Sequence, residues 1–85
     1  MQIRLTNSFE RDYRTLPTVL QKAVDQKLLL LLENFKSPSL QIKKMKGYTN
    51  VWEARVNRGS HFTFSIVGKA YLIRRVGPHD VLRKP

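Results

Sequence analysis

The sequence predicts an α+β fold in which an N-terminal strand is followed by two helices, and the helices pack on one face of a mainly antiparallel, twisted sheet. A change in period indicates this arrangement. Apolar residues recur at every third or fourth position before Pro38, as in amphipathic helices, and at every second position after it, as in strands. With 85 residues the chain can bury one core but not two, so residues 1–85 are expected to form a single domain.

The chain is expected to open with a short strand over residues 2–6, where Ile3 and Leu5 share one face. Asn7 or Ser8 can cap the helix that follows, because a short polar side chain accepts hydrogen bonds from the free N–H groups of a first turn. The apolar residues of this first helix stand three or four positions apart, so they would face the sheet together.

A second helix is expected from about residue 17 to residue 35. Pro17 suits its first position, where the missing N–H costs no hydrogen bond. One face carries the apolar residues at helical spacing, which are Leu20, Val24, Leu28, Leu31 and Phe35. Further apolar residues lie outside that face, namely Val19, Leu29, Leu30 and Leu32. Either the helix is sunk between the sheet and its neighbouring helix, or these extra residues form a docking stripe for a partner.

Three strands are expected after Pro38, over residues 51–57, 61–67 and 70–76, and Gly68-Lys69 indicates a tight turn between the last two. In the first two strands apolar and polar residues alternate, which gives each strand an apolar face and a polar face. The apolar face would pack on the helices, and the polar face would be left in water.

A three-residue turn over residues 57–59 is expected between the first two of these strands, because it keeps the two faces separate and gives its glycine the left-handed position. The register that follows sets four pairs opposite each other: Trp52 and Phe64, Ala54 and Phe62, Glu53 and Thr63, Arg55 and His61. Trp52 is therefore expected in the core. The polar face holds Glu53, Arg55 and His61.

The net charge of +10 predicts a polyanionic partner. Residues 1–38 hold six basic and four acidic side chains, whereas residues 39–85 hold ten basic and two acidic ones. Such an asymmetry favours nucleic acid, an anionic membrane or an acidic protein as the partner. The chain has no cysteine, which excludes disulfides and thiolate metal sites and favours a reducing cytoplasm.

Neither a membrane anchor nor a metal or other cofactor is expected. The longest apolar run, over residues 28–32, is far shorter than the roughly 20 residues that cross a bilayer, and the first residues lack the apolar stretch of a signal peptide. Only two histidines are present, which is few for a histidine-rich metal centre.

The polar face carries residue types that suit the cleavage of RNA. That reaction needs a base for the 2′-hydroxyl proton, cations that hold the phosphate, and an acid for the leaving 5′-oxygen. Glu53 or His61 could be the base, and Arg55 could clamp the phosphate with its planar guanidinium. His79 could be the acid, because imidazole titrates near neutrality, and Asp80 could orient it. Ordinary surface pairing and turn formation are the structural interpretations of the same residues.

A basic run before the strands could bind RNA, since it holds Lys43, Lys44 and Lys46. Runs of this kind bind phosphates without reading sequence, although a solvated loop has the same composition. The other basic residues that could contact the RNA backbone are Arg58, Arg74, Arg75 and Arg83.

Four segments, in this order along the chain, resemble the RelE/ParE toxin superfamily. They are residues 44–47 (Lys-Met-Lys-Gly), 51–56 (Val-Trp-Glu-Ala-Arg-Val), 62–64 (Phe-Thr-Phe) and 74–80 (Arg-Arg-Val-Gly-Pro-His-Asp). The resemblance covers nearly the whole chain, and it is greater to the RelE-like cytotoxic translational repressors of bacterial toxin–antitoxin systems.

The resemblance implies a ribosome-dependent mRNA endoribonuclease with an active site on the concave face of the sheet. Its partners would be mRNA on the ribosome and a smaller, acidic antitoxin that covers the basic face. Arg55 matches the basic residue of the family's corresponding strand, and Glu53 stands where RelE has a lysine. His61 replaces the arginine usual after the hairpin turn, and His79 matches the C-terminal histidine of the YafQ-like branch. The C-terminal tyrosine of RelE has no counterpart.

Two other functions are open on the same fold. One is a ParE-like toxin, which binds DNA gyrase and needs no catalytic residues. The other is a catalytically silent module that binds RNA or the ribosome. A cluster of Arg55 and His79 favours the nuclease, since neither alternative needs it.

Overall fold

The computed structural model describes residues 1–85 and contains a five-stranded sheet with two helices. The strands are β1 (Gln2–Leu5), β2 (Lys43–Lys44), β3 (Trp52–Asn57), β4 (Ser60–Val67) and β5 (Ala70–Pro78), and the helices are α1 (Asn7–Arg14) and α2 (Thr18–Glu33). The strand order is β1-β5-β4-β3-β2, in which β1 runs parallel to β5 and the other neighbours are antiparallel. This is the α+β fold that the sequence predicts. Neither helix is long and apolar enough to cross a membrane.

Helix α1 is capped by Thr6, so the prediction of Asn7 or Ser8 as the cap was wrong. The hydroxyl of Thr6 accepts a hydrogen bond from the backbone N–H of Phe9 at 3.1 Å and donates one to the carbonyl of Ile73 at 2.8 Å. Because β1 ends one residue earlier than predicted, Thr6 is free to take the extended conformation of a cap.

Helix α2 begins after Pro17, which precedes the first helical residue instead of occupying that position. Val24 and Leu31 are completely buried, and Leu30 packs against the core. The exposed apolar side chains of this helix are Val19, Leu29 and Leu32. The extra apolar residues therefore divide, with Leu30 in the core and the others in water.

The register of β3 against β4 agrees with the prediction at all four pairs of residues. The turn that produces this register is different. Arg58 and Gly59 form a two-residue turn, and an irregularity in β3 between Arg55 and Asn57 takes up the extra residue. Gly59 has no left-handed backbone, and its N–H instead donates to the side chain of Asn57 at 3.1 Å.

Aromatic side chains join the helices to the apolar face of the sheet. Phe35, just after α2, stacks on Tyr71 with 6.0 Å between ring centroids. It also meets Trp52 and Phe64 edge to face, at 6.0 Å and 6.3 Å. Trp52 packs against the core, which confirms its predicted face.

Three short elements were not predicted, namely β2 and two 3-10 turns, Pro38–Leu40 and His79–Leu82. Strand β5 also continues two residues beyond its predicted end at Val76. It passes directly into His79–Leu82, which we call the C-terminal turn. This turn begins with His79.

Candidate active site

The polar face of the sheet brings two histidines into contact where β5 ends. His61, in β4, lies opposite Arg55 of β3 and opposite Gly77 of β5. His79 is the first residue of the C-terminal turn, and its ring meets that of His61 at 75°, with 5.5 Å between centroids. Arg55, His61 and His79 therefore lie on one side of the sheet.

Gly77 and Val81 fix the position of the C-terminal turn, and both are buried. A Cβ atom at position 77 would lie only 3.0 Å from Cγ1 of Val81, a closer approach than in nine of ten real Cβ contacts. Val81 can therefore pack down on the strand because a glycine is there. His79 lies between these two residues in the chain, so their contact places its ring.

Two hydrogen bonds hold the guanidinium of Arg55. Its Nε donates to the carbonyl of Asn57 at 3.1 Å, and its Nη1 donates to Oε1 of Gln41 at 3.3 Å. Gln41 follows a 3-10 turn and has a left-handed backbone, with φ of +46°. A guanidinium has five N–H groups, so three of those of Arg55 remain free to bind an anion.

The surroundings of His61 favour its neutral form. Burial lowers the pKa of this imidazole below the ordinary value of 6.5, and the positive charges of His79, Arg55 and Lys43 lower it further. The carboxylate of Glu53 acts in the opposite direction and raises the pKa. At neutral pH this imidazole is therefore able to accept a proton.

Asp80 is not drawn to His79, although the sequence suggested that it orients the ring. Its side chain is exposed and makes no hydrogen bond or ion pair, and its backbone carbonyl accepts from the N–H of Arg83 at 3.1 Å. His79 instead contacts the ring of His61, and the residue is otherwise exposed.

The predicted RNA-binding lysines point to different sides of the sheet. Lys43 pairs with Glu53 in register and belongs to the surroundings of His61. Lys44 pairs with Trp52, and its Nζ lies 5.9 Å from the centroid of the indole ring, on the helix side. The other exposed basic candidates are Lys46, Arg58 and Arg83.

Arg74 and Arg75 are both held by contacts within the protein. Arg74 donates from Nε to the carbonyl of Pro85 at 3.0 Å and from Nη1 to the hydroxyl of Ser65 at 3.2 Å. Arg75 forms an ion pair with Asp12, with 2.6 Å between Nε and Oδ2, and this bond raises the pKa of the guanidinium. The guanidinium of Arg75 is thus paired with a carboxylate, whereas Arg74 has no acidic partner and keeps some of its N–H groups free.

Sequence reasoning did not find Gln41 or Asp12, which position the two arginines on either side of the site. In the sequence Asp12 is an acidic residue of a predicted helix like any other, and its partner Arg75 lies 63 residues further along the chain. Gln41 has no local signal, because its role depends on a backbone conformation that a non-glycine residue seldom adopts.

The fold that carries this site is similar to that of solved toxins of the RelE, YafQ and YoeB/ParE types, which is the fold that the resemblance predicted. The YoeB/ParE toxin of Agrobacterium tumefaciens superposes with a TM-score of 0.79 and 14% identity, over 93% of this chain and 99% of that one. A chain of the RelB–RelE antitoxin–toxin complex of Methanococcus jannaschii gives 0.75 and 22%, over 95% of each chain. The E. coli DinJ–YafQ toxin–antitoxin complex gives 0.74 and 17%, over 95% and 94%. The sequence matches no protein-family model and no curated protein.

Proposed function

We propose that this protein is the toxin of a bacterial type II toxin–antitoxin system and that it cuts mRNA on the ribosome, in the cytoplasm. One observation carries the proposal: His61 and His79 are in contact on the face of the sheet that also presents Arg55. Two imidazoles beside a partly free guanidinium supply a base, an acid and an anion clamp, which is what RNA cleavage requires. Solved toxins of the same fold support the choice.

In the proposed reaction His61 is the base. Its pKa is lowered, so the neutral imidazole takes the proton of the 2′-hydroxyl. The 2′-oxygen attacks the adjacent phosphorus, and the bond from that phosphorus to the 5′-oxygen breaks. His79 gives a proton to the 5′-oxygen, which leaves a 2′,3′-cyclic phosphate on one fragment and a 5′-hydroxyl on the other. Glu53 is not needed as a base and acts through its charge on His61.

The phosphate is held by positive charge in the same proposal. Arg55 offers three N–H groups to the non-bridging oxygens, because its other two are occupied by Asn57 and Gln41. Lys43 adds a second charge within electrostatic range of His61. Both charges stabilise the five-coordinate phosphorus as negative charge builds up on its oxygens.

The proposed protein partner is an acidic antitoxin. A chain with a net charge of +10 attracts an acidic partner at long range and speeds its association. Two of the solved relatives in fold are toxin–antitoxin complexes, RelB–RelE and DinJ–YafQ. An antitoxin that covers the polar face would block access of RNA to His61 and His79.

Mapping the 5′ ends of mRNA after brief induction in bacteria tests the nuclease. We expect in-frame cuts inside coding regions with the wild type and their loss in His79→Ala and in Arg55→Ala. Lys36→Ala is the matched control, because it removes an exposed charge just after α2 and should leave the cuts unchanged.

Each other outcome contradicts the proposal in its own way. Equal growth arrest by the wild type and both site variants would show that these residues do not catalyse. Continued translation together with a DNA-damage response would favour gyrase as the target. A wild type that is harmless in the absence of antitoxin would favour a silent module.

A further inference from the structure

A second basic region lies on the polar face, along β5 and β1. Two depressions, of about 520 Å³ and about 410 Å³, both have Leu72 as a lining residue and therefore adjoin at that side chain. Arg4 and Lys69 line the first depression, and Arg74 and Lys84 line the second. We call this the Leu72 groove. It is on the polar face because Leu72 pairs with Ser65, whose hydroxyl contacts Arg74.

All the charged side chains that line the Leu72 groove are basic. None of the six acidic residues of the chain lines it. Asp12 is the acid bound to a lining residue, and its carboxylate is already occupied by Arg75 and by the backbone N–H of Val76. No unpaired side-chain carboxylate therefore offsets the positive charge of the groove, although a main-chain oxygen of Pro85, the last residue of the sequence, accepts a hydrogen bond from Arg74 within it.

Of the five basic side chains that line the groove, all but that of Arg75 are free of an acidic partner. Arg4, Lys69 and Lys84 are exposed, and none of their side chains makes a hydrogen bond or ion pair. Arg74 donates from Nε and Nη1 to groups of the protein, and its remaining N–H groups are free. These cations come from β1, from the turn before β5, from β5 and from the last residues of the chain, and together they suit a ligand with several negative charges.

We propose that the Leu72 groove binds the backbone phosphates of single-stranded RNA at a site separate from the histidine pair. The five residue steps from Ala70 to Arg75 extend over roughly 17 Å, a length that accommodates several nucleotides. The choice of RNA as the ligand rests on the proposed function. The groove and its charge are observed in the structure and do not depend on that function. RNA bound here would continue along the same face as a strand that passes His61 and His79.

The groove suits RNA better than an acidic protein segment. Protein interfaces derive most of their affinity from buried aromatic and large apolar anchors. No aromatic residue lines the groove, and its large apolar residues are Leu72 and the half-exposed Val67. Phosphate binding needs no such anchors, because free Lys and Arg side chains and released counterions supply its affinity.

The test compares two double variants that remove the same charge. Arg4→Gln/Lys69→Gln alters the groove, and Lys22→Gln/Lys36→Gln alters exposed lysines on and just after α2. The probe is a fluorescent 12-mer of 2′-O-methyluridine, which lacks the 2′-hydroxyl needed for cleavage. Fluorescence anisotropy gives its Kd over a series of salt concentrations, and a Glu-rich 12-residue peptide is titrated in parallel. Thermal melting checks that both variants are folded.

We expect the groove variant to bind the 12-mer at least about fivefold more weakly, with a salt slope reduced by about 1.4 because two phosphate contacts are lost. The control variant should change both quantities much less. Equal effects in the two variants would overturn the groove, and so would loss of peptide binding with RNA binding kept, which would indicate a protein partner instead. The binding assay involves no cleavage, so it can detect RNA in the groove even if the protein is not a nuclease. Conversely, in-frame cuts in mRNA would support the nuclease even if the groove does not bind RNA.

Discussion

The imidazole rings of His61 and His79 meet edge to face, 5.5 Å apart, although one belongs to the middle of the sheet and the other to the C-terminal turn. A positive charge on the ring of His79 would lie beside the ring of His61 and disfavour protonation of His61. The charge of His79 lowers the pKa of His61 in this way. A neutral imidazole beside a second imidazole is an arrangement that suits paired base and acid catalysis.

The first prediction concerns the proton affinity of His61. Its pKa should lie below 6.5, fall further in Glu53→Gln and rise in His79→Gln, because the first change removes a negative charge and the second a positive one. NMR titration of the imidazole C–H signals measures all three values. Glu33→Gln, at the exposed end of α2, is the control that should leave the value unchanged. A rise in Glu53→Gln would contradict this electrostatic description.

The second prediction identifies the base from the pH dependence of cleavage. A neutral base is lost by protonation, so kcat/KM should fall as the pH drops through the lowered pKa of His61. Glu53→Gln should move this acidic limb to lower pH and keep the activity above it. His61→Gln should lose about 10²- to 10⁴-fold in rate together with the limb. The measurement is cleavage of mRNA on purified ribosomes, and collapse of activity in Glu53→Gln would make that carboxylate the base.

The third prediction is that Gln41 acts through Arg55. Gln41→Ala removes the acceptor at 3.3 Å from Nη1 and frees the guanidinium to rotate, so kcat should fall by roughly tenfold or less. The same change should have no further effect in an Arg55→Ala background, because the group that it positions is then absent. Cleavage rates of the four proteins complete the double-mutant cycle. Additive losses would show that Gln41 has a role independent of Arg55.

The sequence was sufficient to place Arg55 opposite His61, because alternation along β3 and β4 permits only registers that keep the charged face in water. The predicted length of the turn was wrong for a related reason. An extra residue keeps the faces separate whether it lies in the turn or in the strand, and only the structure shows that it lies between Arg55 and Asn57. Face patterns therefore determine register more firmly than they determine turn type.

The contact of His79 with His61 was beyond the sequence pattern. It depends on two further residues of β5 and on Val81 packing against Gly77, none of which has a periodic signal. The cap on Thr6 has a similar cause, because its hydroxyl also bonds to the carbonyl of Ile73 on a strand far away in the chain. Local propensity was therefore sufficient to predict the helices and the longer strands, whereas long-range contacts determine the residues at which β5 ends and α1 begins.

The fourth prediction concerns stability. The carboxylate of Asp12 accepts two hydrogen bonds from Arg75 and a third from the backbone N–H of Val76, and so ties α1 to the edge of β5. Asp12→Ala leaves these donors without their partner, so the free energy of unfolding should fall by about 2 kcal/mol. Asp12→Asn keeps one acceptor and should lose less. Urea denaturation gives the values, with Glu33→Ala, an equal charge change at an exposed site, expected to have little effect.

The fifth prediction separates the place of His79 from its chemistry. Gly77→Ala introduces a Cβ atom 3.0 Å from Cγ1 of Val81, so Val81 has to shift by a few tenths of an ångström, and we expect the C-terminal turn to shift with it. Overpacking of this kind costs about 1–2 kcal/mol of stability. Because the turn carries His79, cleavage should fall even at temperatures where the variant is fully folded, and the signals of the His61 ring should shift in the NMR spectrum.

Gly59→Ala is the matched control for that experiment. The same added methyl group at position 59 meets no atom within 4 Å, and Gly59 does not require a left-handed backbone. It should therefore leave stability, cleavage and the histidine signals close to those of the wild type. If Gly77→Ala behaved like Gly59→Ala in all three measurements, the packing of Val81 would not be what places His79, and the ring contact with His61 would have to hold the turn by itself.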